Sequence, residues 1–495
     1  MAERAGRAPT PLFQSCPPSA FFRAMTLARP TRLFALAAAL TLALPVAAQQ
    51  PQPKPPTTWQ RGIAAGYKAL TLCGAIFNGG RTQAQAEALE LTGIYPEYEA
   101  IIPTLTATVT RREDNPGVPV MWDGYVSVPF DAALPPRIAT WSPWDGCTIR
   151  PLQPIDEIVV TVRSGMVAPP VPGNLDARDW PMGERGIAVH TSPALAAVMN
   201  HASTGSYSGR TTGIVIVQDG RIIGEGYAEG FGPHTSQRTW SVAKSISGTL
   251  IGIASREGLL DVRKRGVVRE EGDLRHTISI DNLLRMASGL HGDTSGNRTD
   301  ALYFGGATVD DAAAIAGLEA MPGTRFRYAN LDILLAVRAL RRALPDNYRY
   351  EAYPRAKLFQ RIGMTRTVAE RDSGGNFVLS SQVWSTARDL ARLGMLWLND
   401  GVWNGDRILP QGWMTYMTAP SGPQPATGPG YGATLWLFGP AQGLPAGSYA
   451  AQGNRGQFVM VIPSRRLLIV RRGEDAAGAP FDIAKFSAEV LKAVP

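Results

Sequence analysis

Two β-hairpins set far apart in the chain constrain the fold most. Gly213 to Gln218 and Arg221 to Tyr227 flank Asp219-Gly220, a residue pair that accepts the left-handed backbone of a two-residue hairpin turn. Gln457 to Ile462 and Leu467 to Arg471 flank Pro463-Ser464-Arg465-Arg466. Tyr431 to Phe438 is a third strand candidate, and Phe481 to Lys492 has the pattern of a final amphipathic helix. The sequence between the hairpins is mostly helical. Strands at both ends of such a region bury their apolar faces by meeting in one sheet. The expectation is therefore an α+β fold, an α/β sandwich. In this domain, residues 181–495, the antiparallel sheet is built from both chain ends and flanked by helices, with a mostly helical insertion between the first hairpin and the late strands.

Within that insertion, Val242, Ile246 and Leu250 recur at helical spacing, and the pattern runs on to Ser255. Ser241 and Lys244 precede and enter this helix three residues apart, so their side chains share one face. Ser241 falls in the first turn, where free backbone N–H groups and the helix dipole favour developing negative charge. A serine hydroxyl needs a base to become a nucleophile, and a buried lysine can serve where an arginine cannot. The chain has 42 Arg and 7 Lys, and only Lys244 has a Ser three residues before it. Alone, the pair reads first as an ordinary face of an amphipathic core helix.

The chain before this domain reads as an exported leader and an extension. In Met25 to Gln50, Arg29 and Arg32 precede the apolar run Leu33–Leu44, and Val46-Ala47-Ala48 supplies small residues for cleavage after Ala48. Residues 1–48 are thus expected to be leader and signal peptide, with translation starting at Met25, and the product periplasmic or secreted. The apolar run is short for a membrane span, and no span is expected after cleavage. Residues 49–58, rich in proline, read as a disordered tether.

Residues 59–180 form an N-terminal extension, with a helix near Gly62–Leu72, strands near Leu105–Thr110 and Glu157–Val162, and a Pro/Gly-rich boundary at Val167–Pro181. Cys16 lies in the leader. The mature chain keeps Cys73 and Cys147, and in an oxidising compartment an even count points to one disulfide, with two separate buried thiols as the alternative. Half of the net charge of +8 belongs to residues 1–48, which carry five arginines against Glu3. The modest remainder, without a basic block, excludes nucleic acid as a partner. Five scattered His and three Cys show no metal-ligand spacing.

Three further motifs follow in order. Asp281 to Leu290 (DNLLRMASGL) comes first. Pro322-Gly323-Thr324-Arg325-Phe326-Arg327 then leads into Tyr328-Ala329-Asn330, by itself a packed tyrosine before a helix cap. Gly453-Asn454-Arg455-Gly456-Gln457 opens the last hairpin. Together with Trp240-Ser241-Val242-Ala243-Lys244-Ser245 and Ser385 to Gly394, residues from about 185 to 495 resemble the serine β-lactamase and penicillin-binding-protein superfamily. The likeness is to its class C-like branch, and most to the 6-aminohexanoate-dimer hydrolase group. The resemblance implies Ser241 as nucleophile, Lys244 as its base or relay, and Tyr328 as a second base whose phenol Lys244 acidifies. Asn330 would bond Lys244 or the substrate. The backbone N–H groups of Ser241 and Gln457 would form the oxyanion hole, with Gly456 letting the strand approach the ligand. The chemistry needs no cofactor or metal.

The family's third motif usually begins with a cation in a Lys/His-Thr/Ser-Gly pattern. Asn454-Arg455-Gly456 stands there instead, and on a strand Arg455 would point away from the face of Asn454. This favours a small-molecule ester, amide or peptide-like substrate over a β-lactam. The alternatives are a cell-wall D,D-peptidase or D-aminopeptidase, a β-lactamase, or an inactive binding protein on the same fold. Trp240, Tyr303, Phe304 and Trp384 are candidates to line an acyl pocket. His234 and His291 are assigned to structure or solvent.

Overall fold

The computed structural model describes residues 54–113, 123–154, 175–268, 272–291 and 299–494. The expected signal peptide, the first half of the tether, the strand at Glu157–Val162 and most of the Val167–Pro181 stretch lie outside these residues. Thr58, expected in the tether, already belongs to helix α1 (Thr58–Cys73). The helix starts there because the Thr57 side chain accepts from the Gln60 amide while Gln60 returns a bond to the Thr57 N–H.

The extension continues with a four-stranded antiparallel sheet of β1 (Thr108–Arg111), β2 (Gly124–Val128), β3 (Arg137–Ser142) and β4 (Gly146–Ile149). A Cys73–Cys147 disulfide ties the end of α1 to β4. The apolar core of these elements does not close on itself. Ile63, Leu70, Val126 and Ile149 share one buried cluster with Trp240, Phe304, Leu334 and Trp384. Contact is close enough that a Cβ on Gly66 of α1 would lie 1.8 Å from the Phe304 carbonyl oxygen.

The central sheet has seven antiparallel strands. Two come from the first hairpin, β5 (Thr211–Gln218) and β6 (Arg221–Tyr227). Five come late in the chain: β7 (Gly430–Tyr431), β8 (Trp436–Phe438), β9 (Ser448–Gly453), β10 (Gln457–Ile462) and β11 (Leu467–Gly473). Their order is β7-β8-β9-β10-β11-β5-β6, so the last strand pairs with the first and the two chain ends meet as expected. The first hairpin turns at Asp219 (φ 49°) and Gly220 (φ 78°), the primed geometry that matches the strands' twist.

Alternate residues of each central strand face opposite layers. Val215, Val217, Val459, Val461, Leu468 and Val470 pack with Ile246 and Leu250 of α3 (Val242–Arg256), Leu335 of α4 (Asn330–Ala343) and Leu390 and Leu393 of α5 (Ala387–Leu398). Ile214, Ile216, Met460, Ile462 and Ile469 pack with Leu195 and Met199 of α2 (Pro193–Ser203) and Phe486 and Val490 of α6 (Ile483–Ala493). The result is the expected α/β sandwich.

Two expectations change. Tyr431–Phe438 is not one strand. The chain turns at Gly432–Leu435, with Thr434 at φ 68°, and folds back as the β7–β8 pair. Asn454-Arg455-Gly456 does not open the final hairpin either. It is the turn between β9 and β10, where Gly453 pairs with Gln457. Among the described residues, no helix is long and apolar enough to cross a membrane. No cluster of three or more His, Cys, Asp or Glu there could hold a metal.

Candidate active site

The turn that carries Ser241 is built by a small sheet. Gln237–Arg238 pairs with Val383–Ser385, and the Thr239 N–H donates to the Val383 carbonyl at 2.8 Å. Trp240 then sits at φ 48°, a left-handed conformation that costs a bulky residue about 1–3 kcal/mol. Its ring is held over the Arg238 guanidinium, 3.9 Å from the ring centre. This bend delivers Ser241 to the start of α3.

Lys244, one turn on, is 1% exposed. Its Nζ lies 2.9 Å from Ser241 Oγ, 2.6 Å from Asn330 Oδ1 and 2.8 Å from the Ser380 carbonyl oxygen. A neutral amine has two N–H groups and one lone pair. In the neutral form the two carbonyl oxygens take both N–H groups, and the lone pair is left for the Ser241 hydroxyl. Burial supplies the neutrality: it pushes the ammonium from its ordinary 10.5 down to about 7.

Tyr328 completes the set. Its phenol hydrogen-bonds Ser241, its ring stacks on Trp436 at 5.5 Å, and Lys244 Nζ is 4.9 Å from the ring centre. The expected acidified phenol is corrected here. Burial holds the Tyr328 phenol well above its usual range, and its hydrogen bond to Ser241 offsets this only in part. Tyr328 therefore carries its proton. Asn330 opens α4 as expected and fixes Lys244 rather than facing it as a counter-charge.

The third motif is corrected more extensively. Gln457 is fully buried behind the cleft lining; its side-chain amide donates to the carbonyls of Arg455 and Gly473, and its side-chain carbonyl accepts from Arg472. Gly456, at φ 78°, makes room for protein rather than ligand: a Cβ there would lie 1.8 Å from Arg471 Nη1. Arg455 turns away into a buried pair with Glu474 at 2.5 Å and bonds to the carbonyls of Leu89, Thr92 and Gly93. The strand wall that faces Ser241 is Gln452, Gly453 and Asn454. A Cβ on Gly453 would lie 3.0 Å from the Ser241 nitrogen, so this is where the strand backbone approaches Ser241. Gly453 and Asn454 are the members of the motif that reach the cleft.

The cleft holds about 330 Å³, within the range of small-molecule sites. Trp240, Tyr303 and Phe304 line it, whereas Trp384 lies beneath α1 instead. Sequence reasoning missed Ser380, whose carbonyl holds Lys244 and whose hydroxyl bonds Tyr303 at 2.5 Å, and Tyr95, supplied by the extension. Neither lies in a motif. His234 and His291 pair with Glu184 and Glu319 away from the cleft.

The family model for beta-lactamase matches residues 195–478, more than half of the chain. This chain belongs to the beta-lactamase family. A curated relative, the 6-aminohexanoate-dimer hydrolase of Paenarthrobacter ureafaciens, is 27% identical over 263 residues. That match covers 49% of this chain and 63% of the relative, so the chain spans less than two thirds of the relative's length. Two beta-lactamase-fold structures are similar in fold. One from Bacillus anthracis, described provisionally as a 6-aminohexanoate-dimer hydrolase, has a TM-score of 0.51 at 20% identity, over 59% of this chain and 80% of the other. One from Bacteroides dorei, described provisionally as a beta-lactamase, has a TM-score of 0.51 at 19% identity, over 62% and 99%.

Proposed function

We propose that this chain is an exported serine hydrolase that cleaves an ester or amide bond through an acyl-enzyme on Ser241. The observation that carries the reading is the buried Lys244 Nζ, within hydrogen-bond reach of Ser241 Oγ and held by the Asn330 and Ser380 carbonyl oxygens. As Oγ adds to the substrate carbonyl carbon, the hydroxyl proton moves to Lys244 Nζ. The carbonyl oxygen becomes an oxyanion held by the Ser241 N–H and the β9 backbone near Gly453. Each such donor typically contributes on the order of 3 kcal/mol. Tyr328 gives its proton to the leaving oxygen or nitrogen, and the neighbouring Lys244 ammonium then returns a proton to the phenolate. Water then attacks the acyl carbon, its proton passes to Lys244, and Ser241 leaves protonated as the acid departs.

Asn454 is neutral and Arg455 is locked in a buried ion pair, so the third motif offers no cation for a substrate carboxylate. That ranks a neutral ester or small amide above a β-lactam or a D,D-peptide. Export rests on residues 25–48, and N-terminal sequencing of the native protein tests it. The catalytic reading is tested with p-nitrophenyl butyrate, a D-alanyl nitroanilide, nitrocefin and a linear aminohexanoate dimer, alongside a fluorophosphonate probe. Labelling and ester turnover are expected, and both are expected to vanish in Ser241→Ala. Absence of labelling, or labelling that survives the substitution, overturns the reading. Turnover of nitrocefin without the ester reverses the ranking.

A further inference from the structure

Beside the Ser241 cleft lies a second chamber of about 390 Å³. The two share one wall: Tyr95, Gln452, Gly453 and Asn454 line both. Across that wall the Asn454 amide donates to the Tyr95 hydroxyl at 3.2 Å, tying the extension to the β9–β10 turn. The far side of the second chamber is made by Ile94 of the extension, by Phe458 of β10, and by Ala476, Ala477 and Pro480, which follow β11.

Its two charged residues are already occupied. Arg455 spends its guanidinium on Glu474 and three backbone carbonyls. Asp475 accepts from Arg471 and from the backbone N–H groups of Arg210 and Phe481. A ligand entering the chamber meets apolar side chains and satisfied charges, and a charged ligand group would lose its hydration with nothing to replace it.

We propose that the extension sets substrate specificity. In this scheme the Tyr95–Asn454 partition separates the reacting cleft from a chamber that receives the uncharged, largely apolar arm of an elongated ester or amide. The proposal rests on the acyl-transfer reading above and adds to it the class of substrate. Tyr95 and Ala477 are then specificity-determining positions, one on the partition and one on the chamber's outer loop.

The test compares kcat/KM for p-nitrophenyl acetate, p-nitrophenyl octanoate and the mono-p-nitrophenyl ester of suberic acid, whose arm ends in a carboxylate. Wild type is expected to prefer octanoate to acetate by roughly tenfold or more, the scale on which buried methylenes discriminate, and to prefer octanoate to the suberate ester. Tyr95→Ala and, independently, Ala477→Trp are expected to shrink the octanoate-to-acetate ratio several-fold. A ratio unchanged in both variants overturns the proposal, as does a preference for the carboxylate-ended arm. If no ester is turned over, or acetate turnover survives Ser241→Ala, the acyl-transfer reading fails separately. Calorimetry of octanamide and acetamide on Ser241→Ala then decides the chamber. Tighter octanamide binding that Ala477→Trp abolishes supports it, and equal binding overturns it.

Discussion

Replacing Asn330 by Asp tests whether Lys244 works as a neutral base. The carbonyl oxygen of Asn330 lies 2.6 Å from Lys244 Nζ, and both residues are buried. A carboxylate at that place attracts the ammonium form. Two unit charges at this distance interact by about 6 kcal/mol at an effective dielectric near 20. The buried carboxylate loses hydration at the same time, so the net effect is smaller; a close opposite charge typically moves a pKa by about 1–3 pH units. The sign follows from the mechanism. Neutral Lys244 is the active form, so wild-type kcat/KM rises with pH through about 7. In Asn330→Asp the rise moves to about 8–10, and activity at pH 7 falls by roughly tenfold to a thousandfold while recovering in alkali. The assay is kcat/KM for p-nitrophenyl butyrate from pH 5 to 10, which reports the free enzyme. A loss that is uniform across pH, with the rise still near 7, would refute the argument, because Asn330 would then be merely structural.

Three other outcomes are expected. Tyr328→Phe removes the proton donor while keeping the ring stacked on Trp436; kcat should fall by roughly a hundredfold to ten-thousandfold with little change in melting temperature. Gly453→Ala places a methyl 3.0 Å from the Ser241 nitrogen and 2.3 Å from the Thr239 carbonyl oxygen. It should cut kcat by about a hundredfold or more, with a probe label that forms slowly rather than not at all. Cys73→Ser with Cys147→Ser opens a loop of sequence separation 74 and should lower unfolding free energy by about 4 kcal/mol in denaturant titrations, leaving the pH profile of activity in place.

The sheet and the Ser241 helix were legible because their signals are local: strand patterns around a turn pair, and apolar spacing of 3.6 residues. Lys244 and Asn330 could be placed from motif order. The polarity of Tyr328 could not, since its protonation depends on how completely the phenol is buried, a property of packing. Gln457 was misread because Ser448 to Gly453, poor in β-branched residues, gives no strand signal. Without that strand, the turn at Asn454–Gly456 looks like the start of the next one. Ser380 acts through its backbone carbonyl, which no side-chain motif records. Tyr95 comes from a part of the chain whose relation to the site exists only after folding.

The seat of α1 against the turn that carries Ser241 bears on how this chain can be dissected. Gly66 lies so close to Phe304 that no side chain fits between them, and Trp240 and Trp384 belong to the same apolar cluster as Ile63 and Leu70. A polypeptide begun at residue 181 would carry every residue of the catalytic set, yet would present that cluster to water. Such a surface invites self-association, and it frees the strained Trp240 backbone to relax. Portability therefore differs from motif content: a minimal hydrolase cut from this chain by its motifs is expected to be a sticky and inactive one, and homologues that lack the extension must seal the same face by other means.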